Sequence, residues 1–107
     1  MKTDNWFDYC DDFKEGLAEV VLDGKCNYLN KKGKKLSPIW FEYCWHFNCG
    51  FARVKLDGRY NYIGKNGRLL SSTWFDRCGV FHGGFGCVEL NGKVLYIDKK
   101  GGTCEYR

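Results

Sequence analysis

The chain lacks the features that mark several protein classes. It has one proline and two alanines among 107 residues, and no apolar stretch is long enough to cross a membrane. The first six residues contain no apolar run typical of a signal peptide, so we expect a cytoplasmic protein. Aromatic residues make up 18%, which argues against disorder. Fourteen glycines among many aromatics indicate short strands joined by tight turns.

Cysteine and charge set further limits. The seven cysteines are an odd number, and in a reducing compartment they are expected to be free thiols. The net charge of +4 is mild and permits an acidic partner without requiring one. The charge is unevenly distributed, because residues 40–73 carry five cations against two carboxylates.

A period of 34 residues divides the chain into unit 1 (6–39), unit 2 (40–73) and unit 3 (74–107). A Trp-Phe-acid triplet opens each unit, a cysteine follows it, and glycines recur in register. The matching positions are Trp6, Trp40 and Trp74; Cys10, Cys44 and Cys78; Gly16, Gly50 and Gly84; Gly33, Gly67 and Gly101.

The spacing within each unit is that of strands. Apolar residues lie two apart in 52–56, whereas a helix would place them three and four apart. Asp23-Gly24, Asp57-Gly58 and Asn91-Gly92 predict type I′ hairpin turns. A second glycine turn predicts a third strand at 35–36 and 68–70. Each unit therefore reads as a three-stranded antiparallel meander preceded by a linking segment, and the fold class is all-β.

Two packings of the units fit this pattern. One is a short open β array, and the other is a closed propeller-like or barrel-like body. Closure removes exposed edge strands, which favours the closed body.

The runs 16–33, 50–67 and 84–101 resemble the WG-repeat family of tandem β repeats, found mainly in bacterial proteins. The resemblance extends over all three units, and it implies a scaffold rather than a reaction. The Trp-Gly pair that names the family is missing, and the pairs at its positions are Cys26-Asn27, Tyr60-Asn61 and Val94-Leu95. No catalytic residues are implied for this chain.

The repeated aromatics and cysteines each have two interpretations. Trp6, Trp40 and Trp74 could form a platform for stacking bases, but identical recurrence favours a buried core role. The cysteines at 10, 44 and 78 would converge in a closed ring and could hold a soft metal, with His46 or His82 nearby. Buried thiols are the preferred interpretation, since there is no Cys-x-x-Cys pair. No metal or cofactor is predicted.

Positions that break the repeat are candidates for function. Between the shared cysteine and phenylalanine, unit 2 has Trp45-His46, whereas unit 1 has Asp11-Asp12 and unit 3 has Gly79-Val80. A tryptophan that the common scaffold does not require either caps the core or serves as a binding anchor. The predicted partner-binding residues are Trp45, His46, Arg53, Lys55 and Arg59.

Basic residues lie in and beside the second glycine turn of every unit. They either contact nucleic-acid phosphates or keep the turns soluble. The residues of this alternative nucleic-acid site are Lys31, Lys32, Lys34, Lys35, Lys65, Arg68, Lys99 and Lys100.

No sequence motif for catalysis is present, so we expect a protein without enzymatic activity. The preferred hypothesis is a small module that binds a protein partner and blocks or scaffolds it. A phage-encoded inhibitor of a bacterial defence nuclease, of the anti-CRISPR kind, is one concrete version. The alternatives are a module that binds RNA, DNA or a ribonucleoprotein, and a structural repeat fragment of a larger assembly.

Overall fold

A computed structural model describes residues 7–105, in which ten β-strands and no helix occur. Unit 1 contains β1 (Tyr9–Cys10), β2 (Leu17–Leu22) and β3 (Lys25–Asn30). Unit 2 contains β4 (Tyr43–Cys44), β5 (Phe51–Leu56) and β6 (Arg59–Gly64). Unit 3 contains β7 (Arg77–Cys78), β8 (Phe85–Leu90), β9 (Lys93–Asp98) and β10 (Thr103–Glu105). The predicted all-β fold of three repeats is confirmed.

Each unit is built around a tight hairpin. In unit 2, β5 and β6 pair antiparallel from Leu56 opposite Arg59 to Phe51 opposite Gly64. Between them Asp57 and Gly58 have φ values of 53° and 78°, which is the positive-φ pair that a type I′ turn requires. The corresponding pairs of units 1 and 3 are also positive, so the predicted turns are confirmed.

The acidic residue after each Trp-Phe pair caps this hairpin turn. The Glu42 carboxylate accepts hydrogen bonds from the amides of Asp57 and Gly58, at 3.0 and 3.3 Å. Asp8 and Asp76 accept from the turns of their own units in the same way. The repeated triplet therefore ties the linking segment to the hairpin.

The third strand of the meander differs from the prediction. It is the segment around the repeated cysteine, as where Cys44 pairs with Val54, and it precedes the hairpin. The predicted third strands at 35–36 and 68–70 are wrong, because these segments form only isolated bridges before the chain turns away. After the second glycine turn, a continuous strand forms in unit 3 alone, as β10.

Buried asparagines replace the missing ladder bonds. The Asn27 amide donates to the carbonyls of Ser37 and Ile39, at 2.7 and 3.2 Å, and its Oδ1 accepts from the Tyr28 amide. Asn61 makes the equivalent bonds to Ser71 and Tyr62. Both asparagines are fully buried. They hold the segment that leads into the next unit.

The units stack as an open array with extents of 49 × 25 × 18 Å. Each core cluster extends across a boundary between units: Tyr28 of unit 1 packs with Phe41 and Phe47 of unit 2, and Tyr62 packs in the same way on unit 3. The closed body is therefore wrong, because the Cys26–Phe41 and Tyr60–Phe75 bridges join consecutive units, whereas among the described residues no β-pairing joins unit 3 back to unit 1.

The Trp-Phe pairs divide between core and surface. Phe41 and Phe75 are buried, whereas Trp40 and Trp74 are half-buried. Trp6 lies outside the described residues. Of the repeated cysteines, Cys44 and Cys78 are buried and Cys10 is exposed. Each pairs with a strand of its own sheet, so the three thiols do not converge.

Candidate functional site

An aromatic ridge runs across one face of the middle sheet. The Tyr43 and Trp45 rings have centroids 4.4 Å apart, and the Trp45 and Tyr60 rings have centroids 6.0 Å apart. The register explains this grouping, since Lys55 pairs with both Tyr43 and Tyr60, and paired residues project from the same face.

Two cations complete the ridge. Alternation along β5 places Arg53 and Lys55 on the same face as the aromatics. The Arg53 guanidinium lies 4.5 Å from the Trp45 ring centre, and the Lys55 ammonium lies 5.6 Å from that of Tyr60. Hereafter, the aromatic ridge denotes Tyr43, Trp45, Arg53, Lys55 and Tyr60.

The backbone under the ridge is fixed by the preceding unit. The buried Tyr28 hydroxyl donates a hydrogen bond to the Trp45 carbonyl, and the Trp45 amide donates to the Arg53 carbonyl at 3.1 Å. Burial raises the pKa of the Tyr28 hydroxyl far above its ordinary value, so it remains a donor. Tyr62 makes the equivalent bond to the Gly79 carbonyl in unit 3 at 2.5 Å.

An acidic cleft of about 410 Å³ lies between units 1 and 2, on one side of Trp45. Glu19 is half-buried there, and its pKa is raised by burial and then by the charge of Asp11. The pKa of Asp11 is lowered, mainly because the Asp12 amide donates to its carboxylate. His46 Nδ1 lies 3.8 Å from that carboxylate. The cleft suits a cationic side chain.

A second cleft of about 280 Å³ lies between units 2 and 3 and is lined by Trp45, Phe51, Phe81 and Val80. Val80 is 51% exposed, so this cleft presents apolar surface to solvent. Arg53 crosses it and donates to the Cys78 carbonyl at 3.2 Å. The aromatic ridge is thus flanked by one acidic and one apolar cleft.

The predicted partner-binding residues separate into two groups. Trp45, Arg53 and Lys55 belong to the ridge, and His46 lies at the edge of the acidic cleft. Arg59 lies apart, because it pairs with Leu56 on the opposite face and forms an ion pair with Asp76 at 3.2 Å.

Sequence reasoning did not include Tyr43 and Tyr60 in the site. Tyr60 carries a detectable signal, since Cys26 and Val94 occupy its position in the sister units. Tyr43 carries a weaker one, because Tyr9 occurs at the same position of unit 1.

The family model for the WG containing repeat matches residues 7–26, 28–60 and 62–93. The chain belongs to the WG-containing repeat family. No curated protein and no solved structure is significantly similar to it. The breaks between the three matches fall at Asn27 and Asn61, the buried residues that hold consecutive units together.

The basic residues of this WG-repeat chain have different surroundings. Lys65, Arg68 and Lys99 line one cleft of about 400 Å³ between units 2 and 3. Lys65 also pairs with Glu15 at 3.4 Å, and Lys35 lies over the Trp40 ring. The others are exposed at the turns; these are Lys31, Lys32, Lys34 and Lys100.

Within residues 7–105, no three His, Cys, Asp or Glu side chains cluster as metal ligands would. Over the same part of the chain, no helix is long and apolar enough to span a membrane.

Proposed function

We propose that this WG-repeat chain is a non-enzymatic module that binds a protein through its aromatic ridge. The observation that carries the proposal is that unit 2 alone combines the ridge residues, with Tyr43 56% exposed. At the Trp45 position the sister units have Asp11 and Gly79, so the shared scaffold does not require the indole. Tryptophan, tyrosine and arginine dominate the energetics of protein interfaces.

The ridge is also organised before any partner arrives. Arg53 is held between the Trp45 ring and the Cys78 carbonyl, and the Trp45 backbone is held by Tyr28. Side chains that are already ordered lose little conformational entropy on binding. One flanking cleft is acidic and the other is apolar, so a partner that carries a basic group beside an apolar one would match both.

Such a module acts by covering or scaffolding a working surface of its partner. Inhibition of a bacterial defence nuclease is the specific form that we propose to test first. A stoichiometric excess of the chain would then block cleavage by the purified nuclease, and the Trp45→Ala variant would not.

The proposal assigns no reaction to the chain. The pKa of the Cys78 thiol is raised to about 12 by burial, and burial raises the pKa of Cys44 further still. Thiols in this state are poor nucleophiles, because the thiolate is the reactive form. This supports a structural role for the two repeated cysteines.

Photo-crosslinking tests the proposed surface directly. A photoreactive phenylalanine analogue replaces Tyr43 in β4, and a matched control carries it at Arg77, the equivalent position of β7. We expect one protein of a nuclease-treated bacterial lysate to crosslink to the analogue at position 43. This crosslink should be lost when the chain also carries Trp45→Ala. Equal crosslinking from both positions, or crosslinking that vanishes with nuclease, would refute the proposal.

A second candidate function is nucleic-acid binding, which is favoured by the convergence of Lys65, Arg68 and Lys99 on one cleft. Phosphate contacts release counterions, so affinity would fall steeply with salt. Under this alternative, replacing each of these three residues by glutamine would weaken binding to single-stranded RNA or DNA and reduce the salt dependence. Trp45→Ala would then have little effect.

A further inference from the structure

One carboxylate in this chain crosses from a turn of one unit to the matching turn of the next. Glu15 of unit 1 accepts hydrogen bonds from the Cys49 and Gly50 amides of unit 2, at 3.2 and 3.1 Å. The Lys65 ammonium lies 3.4 Å from the same carboxylate. Two amides and one ammonium therefore surround a single carboxylate at the boundary of units 1 and 2.

The equivalent residues recur 34 residues later without the carboxylate. Gly83, Gly84 and Lys99 occupy the positions of Cys49, Gly50 and Lys65. The residue at the position of Glu15 is Cys49, which has no carboxylate. In the described residues, no acceptor is bonded to the Gly83 or Gly84 amide.

The boundary between units 2 and 3 is held by contacts of its own. Asn48 Nδ2 donates to the Phe81 carbonyl at 3.4 Å, and the Phe51 and Phe81 rings stack with centroids 4.7 Å apart. These contacts place the turn of unit 2 beside that of unit 3. Lys99 and Gly50 line the same cleft, so Lys99 lies on the side of unit 3 that faces unit 2.

We propose that Gly83, Gly84 and Lys99 form a binding site for a carboxylate of another molecule, such as an acidic side chain of a protein. The occupied site on the preceding unit identifies the ligand class, because the three residues at the equivalent positions there hold a carboxylate. Charge-assisted hydrogen bonds to two amides and a lysine are the interactions that favour an anion. This site is separate from the aromatic ridge and does not depend on the ridge's function.

The backbone of the turn at Gly83 and Gly84 differs from that of its counterpart at Cys49 and Gly50. Cys49 and Gly50 both have positive φ, at 57° and 87°, whereas in unit 3 only Gly83 does, at 64°. The peptide that joins Gly83 to Gly84 is therefore turned over relative to its counterpart. Glycine at both positions allows either conformation, so a carboxylate would draw the turn into the conformation of Cys49 and Gly50.

Filling the site from within the chain tests the donor set. Cys49→Glu places an acid where Glu15 stands in unit 1, at a backbone φ that Glu15 already adopts. We expect the Tm of Cys49→Glu to exceed that of the matched Cys49→Gln variant by about 2–6 °C, because a modest gain in the free energy of unfolding shifts the Tm of a small domain by several degrees. The gain should disappear in Lys99→Gln or in high salt. Equal Tm values for the Glu and Gln variants would overturn the proposal.

Binding from outside is tested by titration with acetyl-Ala-Glu-Ala-amide and its Gln counterpart, followed by amide NMR. We expect the Glu peptide alone to shift the Gly83 and Gly84 resonances in the wild-type protein, and not in Cys49→Glu. Inorganic phosphate in a parallel titration distinguishes a carboxylate site from a general oxyanion site, which would respond more strongly to phosphate. Shifts spread over all exposed lysines, or equal shifts in wild type and Cys49→Glu, would refute the site.

Discussion

The guanidinium of Arg53 lies 4.5 Å from the centre of the Trp45 indole ring, while the same side chain donates to the Cys78 carbonyl. This relationship joins units 2 and 3 and fixes the ring at the surface. Neither sister unit can reproduce it, because Glu19 and Cys87 occupy the Arg53 position. It is the feature that distinguishes unit 2 from the repeat.

Replacing Trp45 is expected to remove partner binding without unfolding the chain. Trp45→Ala deletes the central ring of the ridge, and the expected loss is about 2 kcal/mol or more, about thirty-fold in Kd. The captured partner and isothermal titration calorimetry provide the measurement, with circular dichroism to confirm the fold. Arg59→Ala is the matched control, since Arg59 lies on the opposite face. Equal losses in both variants would contradict the proposed surface.

The buried asparagines are expected to determine stability. Asn61→Leu removes the bond to the Ser71 carbonyl and leaves that group without its donor. We expect a loss of about 2–4 kcal/mol in the free energy of unfolding, measured in urea. Asn66→Leu is the control, because Asn66 is exposed and its side chain accepts a hydrogen bond from the nearby Arg68 amide. If the two variants lose the same stability, the asparagine does not act as the link between units.

Two glycines with similar φ are expected to differ in their tolerance of alanine. Gly67 and Gly58 have φ of 85° and 78°, but a Cβ at Gly67 would clash with the Leu36 carbonyl oxygen of the preceding unit. A Cβ at Gly58 would meet no atom of the described residues within 4 Å, apart from its chain neighbours. We expect Gly58→Ala to reduce the free energy of unfolding by about 1 kcal/mol, because alanine is strained at positive φ. Gly67→Ala should reduce it by about 3 kcal/mol, because overpacking against Leu36 is added to the same strain. Thermal unfolding of both variants checks this.

Glu19 is expected to reduce stability at neutral pH. Burial raises its pKa above the ordinary value of 4.5, so the protonated form favours the folded state. This contribution is complete below the unfolded pKa and is lost as pH rises through the folded pKa. Glu19→Gln should therefore raise Tm at pH 7 and leave it unchanged near pH 3. Glu105→Gln, at an exposed position, is the control. An equal rise in the Tm of both variants at pH 7 would mean that the burial of Glu19 is not the cause.

Local rules predicted the hairpins but not their neighbours. Asp57-Gly58 specifies its turn through backbone φ alone, and this information is local. The segment after Gly33 has the sequence pattern of a strand. In the structure the Asn27 side chain donates to the Ser37 carbonyl of this segment. A contact between residues ten positions apart leaves no local signal in the sequence. Open stacking likewise depends on which faces cover each other, as with Tyr28 and Phe47.

The candidate site was partly predictable for a similar reason. Trp45 breaks the repeat and is visible in the sequence, whereas the prediction of Arg59 for the same surface rested on the excess of cations in unit 2. The two-residue turn places Arg59 opposite Leu56, so it projects from the other face than Lys55. Tyr43 and Tyr60 join the ridge through the register of three strands, which only the fold supplies.

The pair of buried tyrosines separates the role of the ridge from that of the scaffold. Tyr28 donates to the Trp45 carbonyl and Tyr62 to the Gly79 carbonyl, so both link consecutive units by the same bond. Replacing either by phenylalanine should cost about 1 kcal/mol in the free energy of unfolding, since one buried hydrogen bond is lost. Only Tyr28→Phe releases the backbone that carries Trp45, so we expect it alone to weaken partner binding, by several-fold. Calorimetric titration of the partner against both variants gives the measurement. Equal affinities, together with the loss of stability, would mean that Tyr28 holds the units together without positioning the ridge.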